Sequence, residues 1–207
     1  MKNFFSRAGQ NGKTTMQKKL WKMILVVTIP LMLTIILVVG IFIGYALQYN
    51  AILNNVTTAS DFNRAFTDNI KTKMYYFVID SQYSEGLPTE EVKSAETIAR
   101  KLIETTSEKD SLRAINSVLN LCHNLEDKMQ EIAKTEGYDS RMSQLNDNIY
   151  VMADLIQEYM YTYLYYEAVH LDALQSTMTR NMVGLMGLVV VLAFVLLSFL
   201  LSYSRKL

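Results

Sequence analysis

Glu167 and His170 form an ExxH pair, a spacing that sets a carboxylate and an imidazole one turn apart on a helix face. Di-iron helical bundles use two such pairs plus two further glutamates. The only other histidine, His123, has Asn120 three residues before it, so the ligand set is incomplete. No metal ligand is assigned, and His170 is expected to sit among the tyrosines beside it. His123 and Asp127 share a helix face and read as an ordinary surface pair. Gly12-Lys-Thr-Thr matches the end of a phosphate-binding loop. That motif needs a glycine five residues earlier, where Arg7 stands. Cys122 is the one cysteine, so no internal disulfide can form, and its place in an apolar stripe predicts a buried thiol.

No serine or cysteine nucleophile has a histidine and a third member at credible positions. Catalytic, cofactor-binding and metal residues are therefore set at none, no cofactor is expected, and the chain is not expected to be an enzyme. The many carboxylates are spread over the sequence and read as a solvated surface.

A different chemistry is offered by YMYTYLYYEAVH, Tyr159 to His170. Its first four tyrosines alternate, which is the period of a half-buried strand and would give an aromatic ligand groove. A longer window decides against that. Met142, Leu145, Ile149, Met152, Ile156, Tyr159, Tyr163, Tyr166, His170, Ala173 and Thr177 follow steps of three and four, a heptad seam on a helix. Tyr159, Tyr163, Tyr166 and His170 are then candidate packing or sensory residues. Tyr161 and Tyr165 turn to another face. In an antiparallel first helix, Phe62, Phe66, Tyr75, Tyr76 and Phe77 are their expected partners. Aromatic packing and a ring-framed pocket, including a cage for a cationic ligand, both remain open.

The elements that position these residues follow from charge and hydropathy. All 20 acidic residues fall within 48–181, against 12 basic ones, so this segment carries −8 and the two ends +8. Met23–Leu47 and Met182–Tyr203 contain no charge. Each exceeds the roughly 20 apolar residues that cross a hydrocarbon core of about 30 Å. The first is too long for the core of a cleavable signal peptide and reads as an anchor. The flanking basic residues keep both termini cytoplasmic. The expected organisation is a basic cytoplasmic tail (1–22), a first transmembrane helix (23–47), an extracytoplasmic sensor domain (48–181), a second transmembrane helix (182–203) and the start of a cytoplasmic linker (204–207). The basic tail is expected to touch anionic headgroups rather than nucleic acid.

Between the spans, breakers are scarce: Pro88, Gly86 and Gly137 are the only prolines or glycines in 48–181. The first helix is expected to run to about Ser84. Thr89 is expected to cap a second helix of about 90–106, with Val92, Ala95, Ala99, Leu102 and Ile103 inward. A third of about 111–134 has Leu112, Ile115, Leu119, Cys122, Leu125, Met129 and Ile132 inward. Gly137 suits a helix C-cap, and a fourth helix from about 141 enters the second span. Short loops make neighbours antiparallel, so the fold class is all-α, an up-down-up-down four-helix bundle whose helices 1 and 4 continue into the membrane spans. The outer helices are longer than the middle pair, which predicts a stem with the short pair away from the membrane. Gly40 and Gly44 form GxxxG, a candidate transmembrane dimer contact.

ILNNVTTASDFN, MYYFVID, EGLP, INSVLNLC and QEYMYTYLYYEAVHL resemble the sensor region of YesM/LytS-like bacterial sensor histidine kinases. In that family the second span leads into a HAMP linker, then a phospho-accepting histidine and an ATP-binding domain. The resemblance covers this chain but only the front of such a kinase, and no kinase residue is carried over. It implies a membrane-bound sensory input module that relays an extracytoplasmic signal by helix movement. Its partners would be the plasma-membrane bilayer, a second copy of the chain, and an extracytoplasmic ligand or partner protein. The same architecture also suits a chemotaxis-type receptor input, or a membrane-anchored helical protein that binds a partner without signalling.

Overall fold

The computed structural model describes residues 3–79 and 86–204. The described residues are helical nearly throughout, and none of them forms a strand. Helix α1 spans Asn3–Ile79, α2 Thr89–Thr105 and α3 Lys109–Lys134. Helix α4 (Tyr138–Gln144) passes through a π turn (Leu145–Tyr150) into α5 (Val151–Ser204) with helical dihedrals at both joins. The last residues expected in the first helix, up to Ser84, and most of the expected linker at 204–207 lie outside the described residues.

The chain divides into two compact units, one of Met1–Ala46 with Ser176–Leu207 and one of Leu47–Gln175. In the first unit, two helices are long and apolar enough to cross a membrane, and their most apolar windows are not covered by protein. The core helix of a soluble domain would be covered. The hydroxyls of Thr28 and Thr34 are satisfied within the helix, donating to the carbonyls of Ile24 and Pro30 at 2.8 Å. Asn181 Nδ2 donates to the Tyr45 hydroxyl at 2.5 Å. Gly12–Thr15 is helical backbone within α1, not the strand–loop–helix a phosphate-binding loop requires.

The second unit has one apolar core, to which α1, α2, α3 and the α4–α5 run all contribute. Helix α2 begins after Pro88 rather than after Thr89, with Glu90 and Glu91 in the first turn, where the helix dipole favours anions. Its inner face is Val92, Ala95, Ala99 and Leu102, with Ile103 at the margin. Helix α3 starts at Lys109 because Glu108 caps it, accepting from Ser111 N–H at 2.5 Å. Its core residues include Ile115, Cys122, Leu125, Met129 and Ile132, as the stripe predicts. Leu112 and Leu119 are only half-buried, and Ala114 and Val118 lie deeper. Thr135, not Gly137, is the C-cap of α3; Gly137, at φ +88°, starts α4. That φ is left-handed, where a Cβ is penalised. Each fully buried Leu, Ile or Met contributes about 1.5–3 kcal/mol.

The seam of α4–α5 differs from the heptad reading. Its buried residues are Leu145, Ile149, Ala153, Ile156, Met160, Tyr163 and Glu167. Met152, Tyr159 and Tyr166 are displaced by their neighbours Ala153, Met160 and Glu167. The two sets are neighbouring edges of one helix face, and α1 packs against the edge that carries Ala153, where Thr67 reaches its carbonyl; a π turn, Leu145–Tyr150, lies just before it. Leu145, Ile149 and Ala153 are spaced four apart in succession, as are Ala114, Val118 and Cys122 on α3, a spacing that keeps to one helix face; beyond Ala153 the steps of three and four resume.

A π turn carries one more residue than an α turn, so deleting one inside it, such as exposed Asp147, leaves an α turn and a three-four spacing from Leu145 onward. The fold should survive that deletion with a melting temperature within a few degrees of the parent, read by circular dichroism of the full chain in micelles. Deleting exposed Glu158 from the regular helix should instead misalign the face on one side and cost tens of degrees.

Candidate functional site

Residues on α1 and α5 meet in antiparallel order within the second unit. Asn55 lies beside Tyr163 and Thr67 donates to the Ala153 carbonyl at 3.2 Å, rising numbers on α1 against falling ones on α5; the long Lys71 side chain reaches Asp154 at 2.6 Å. Lys71 also stands 5.5 Å from the ring centre of Tyr150 in the π turn, within cation–π range. Following this order away from the π turn, Ile52 and Asn55 are the last buried residues on α1, and Tyr163 and Glu167 the last on α5. The turn between α2 and α3 packs against them.

A polar layer closes the core there. The Tyr163 ring is wholly buried, and its hydroxyl lies 2.9 Å from the Thr106 hydroxyl. Thr105 Oγ1 donates to Asn55 Oδ1 at 2.9 Å and also reaches the Lys101 carbonyl. Burial pushes the Tyr163 hydroxyl up to about 12; Thr106 opposes the shift, the Glu167 charge adds to it, and Asn55 opposes it. The tyrosine is thus a neutral hydrogen-bonding post between α5 and the α2–α3 turn.

Glu167 follows one turn on and is only 1% exposed. Its carboxyl is raised above the usual carboxylate range, chiefly by burial; Ser111 and His170 oppose this and the Glu108 charge adds to it. Ser111 is fully buried beside it but outside hydrogen-bonding geometry. Glu167 Oε1, Ser111 Oγ and His170 Nδ1 are all buried without a hydrogen-bond partner. Glu108 goes the other way: burial pushes its carboxyl up, but the N–H groups of Ser111 and Asp110 outweigh that and hold it low. Two carboxylates on one layer are thus driven apart, one toward the neutral acid and one toward the anion.

Of the residues singled out by sequence, Tyr163 is in this layer and His170 is half-buried at its edge. Tyr166 is half-buried and meets Tyr165 edge-on at 5.6 Å. Tyr159 is 38% exposed. Tyr75 and Tyr76 are exposed, stack edge-on at 5.9 Å and lie toward the π turn, where Tyr75 raises the Tyr150 hydroxyl after burial. They are not partners of Tyr163; Asn55 and Thr106 are. Gly40 and Gly44 lie in the first unit, exposed, with open space where a Cβ would stand.

Sequence reasoning passed over Asn55, Thr105, Thr106, Glu108 and Ser111, and weighed Glu167 only as half of a metal-binding ExxH pair. Treating every carboxylate as surface was wrong for Glu167, which occupies the seam position after Tyr163. The available signal was a carboxylate four residues beyond a seam tyrosine. His123 pairs through Nδ1 with Glu96 on α2 at 2.7 Å, not with Asp127. No group of three or more metal-ligating side chains assembles among the described residues.

A separate open cleft of about 610 Å³ lies between α1 and α2, lined by Asp61, Phe62, Phe66, Glu90, Glu91 and Ile98 among others. Lys73 pairs with Glu91 at 2.5 Å, and this hydrogen bond is the first cause holding the Glu91 carboxyl low. Comparison with known proteins yields no match: no family model, no curated protein and no solved structure is similar to this chain.

Tyr163→Phe should cost about 1 kcal/mol by removing the bond to Thr106, and Tyr163→Ala about 3–5 kcal/mol by leaving a cavity. Both are read as loss of thermal stability in micelles. Burial pushes the Cys122 thiol up to about 12, with the Glu96 carboxylate adding to it. Maleimide at pH 8 should therefore label Cys122 only after denaturation, as mass spectrometry would show.

Proposed function

We propose that this chain is the membrane-bound sensory input module of a two-component receptor of the histidine-kinase type. In this reading Met23–Leu47 and Met182–Tyr203 cross the plasma membrane, both termini are cytoplasmic, and 48–181 is an extracytoplasmic up-down-up-down four-helix bundle. The observation that carries it is continuity. Helix α1 and the α4–α5 run each contain an apolar, uncovered segment and a segment that shares the core with α2 and α3. A displacement of one helix against the other in the core has an unbroken backbone along which to pass. The resemblance to YesM/LytS-like sensor regions supports the kinase output, and the acidic character of 48–181 supports its export.

The module acts as a homodimer in this proposal. Gly40 and Gly44 leave one face of the first span open, which allows close approach of a second span. On α5, Tyr161, Tyr165 and Val169 are exposed by 59%, 64% and 50%, one turn apart on a single face. These are the surfaces offered to the partner copy.

Single cysteines at positions 44, 161 and 165, in a Cys122→Ala background, test this in native membranes. Oxidation should give intersubunit disulfides at one or more of them, and none at exposed Asn116 on α3. If no position along α1 or α5 crosslinks between subunits, dimeric transmission is wrong.

A further inference from the structure

We propose that Glu167 is a proton-operated latch between α5 and the α2–α3 turn: protonated, it keeps the end of the core closed, and ionised, it draws water in and releases the turn. The proposal concerns the second unit alone and holds whether or not the chain signals.

The geometry supplies each part. Glu167 is the last buried residue on α5, so it sits where the core ends rather than at its centre. Across from it, Ser111 is fully buried with its hydroxyl unpartnered, and Glu167 Oε1 is likewise unpartnered. A neutral carboxylic acid brings a proton that Ser111 Oγ can accept after a small rotation. An ionised carboxylate can accept from the Ser111 hydroxyl instead, which opposes the shift without reversing it, but it keeps a charge that is 1% exposed beside the Glu108 anion, and that charge needs water.

The charged and titratable groups around Glu167 come from two elements. Helix α5 contributes His170, with Nδ1 buried and unpartnered, and the neutral Tyr163 hydroxyl. The start of α3 contributes Glu108, whose carboxylate is held ionised by the α3 N–H groups. Helix α1 contributes Asn55, which has no charge and bonds Thr105. Glu108 opposes ionisation of Glu167 and His170 favours it, while burial decides the direction.

The sign follows from linkage. An acid whose folded value lies above its unfolded value binds more protons in the closed state. The closed state is fully favoured below the unfolded value, near 4.5, and the advantage is lost as pH rises through the raised value. Because Thr106 bonds Tyr163 and Thr105 bonds Asn55, release at Glu167 loosens the contact that joins the turn to both long helices.

Hydrogen exchange of the full chain in nanodiscs tests the latch, with rates corrected for intrinsic pH dependence. Wild-type amides of 104–112 and 163–170 should lose at least tenfold protection between pH 5 and pH 8.5. Glu167→Gln, which keeps the shape and cannot ionise, should hold acid-level protection across that range. Equal pH dependence in both proteins, or none in the wild type, overturns the proposal. The carboxyl carbon of Glu167, followed by NMR in the unmutated chain, gives a reading that does not rely on the variant. It should titrate above a free glutamate; a midpoint at or below the free value also overturns the latch.

Discussion

Two helices in this chain carry two kinds of surface without a break. Over their most apolar windows, within 24–47 and 182–202, none of their side chains is buried in protein. Over the second unit the same helices bury one face and wet the others. A single backbone hydrogen-bond ladder runs through both regimes, so the change of environment is written only in side chains. Every other feature answers to this: α2 and α3 exist to cover the inner faces of α1 and α5, and their length is set by how much face there is to cover.

The covering pair stops at a polar layer rather than at bare hydrocarbon. Tyr163 pairs with Thr106 there, and Asn55 with Thr105. The α2–α3 turn reaches the level of Asn55 on α1, about eight residues from the edge of the unit at Leu47, or roughly 12 Å. The free stretch of paired long helices is therefore shorter than their lengths alone implied.

Much of this was legible because helices report their faces by period. Val92, Ala95, Ala99 and Leu102 on α2, and Ile115, Cys122, Leu125, Met129 and Ile132 on α3, recur at helical spacing and are buried. The seam of α5 was legible in period but not in phase. Ile156 and Tyr163 were read correctly, while Tyr159 and Tyr166 were read in place of Met160 and Glu167. Met152 and Tyr159 are as apolar as Ala153 and Met160, so period alone does not say which edge of the face α1 covers. The polar layer was illegible for another reason. Its members come from three distant stretches, and nothing local to Asn55, Thr106 or Glu167 announces that they meet.

The π turn also has the character of a dislocation. One surplus residue is threaded into an otherwise regular lattice of turns, and such a defect cannot heal in place. It can only glide along the helix or leave at an end. While it rests between Leu145 and Tyr150, with Lys71 spread over Tyr150 and bonded to Asp154 on its far side, the phase of every α5 residue beyond it is fixed. The face that Tyr161 and Tyr165 turn outward is thus set by a defect three to four turns away.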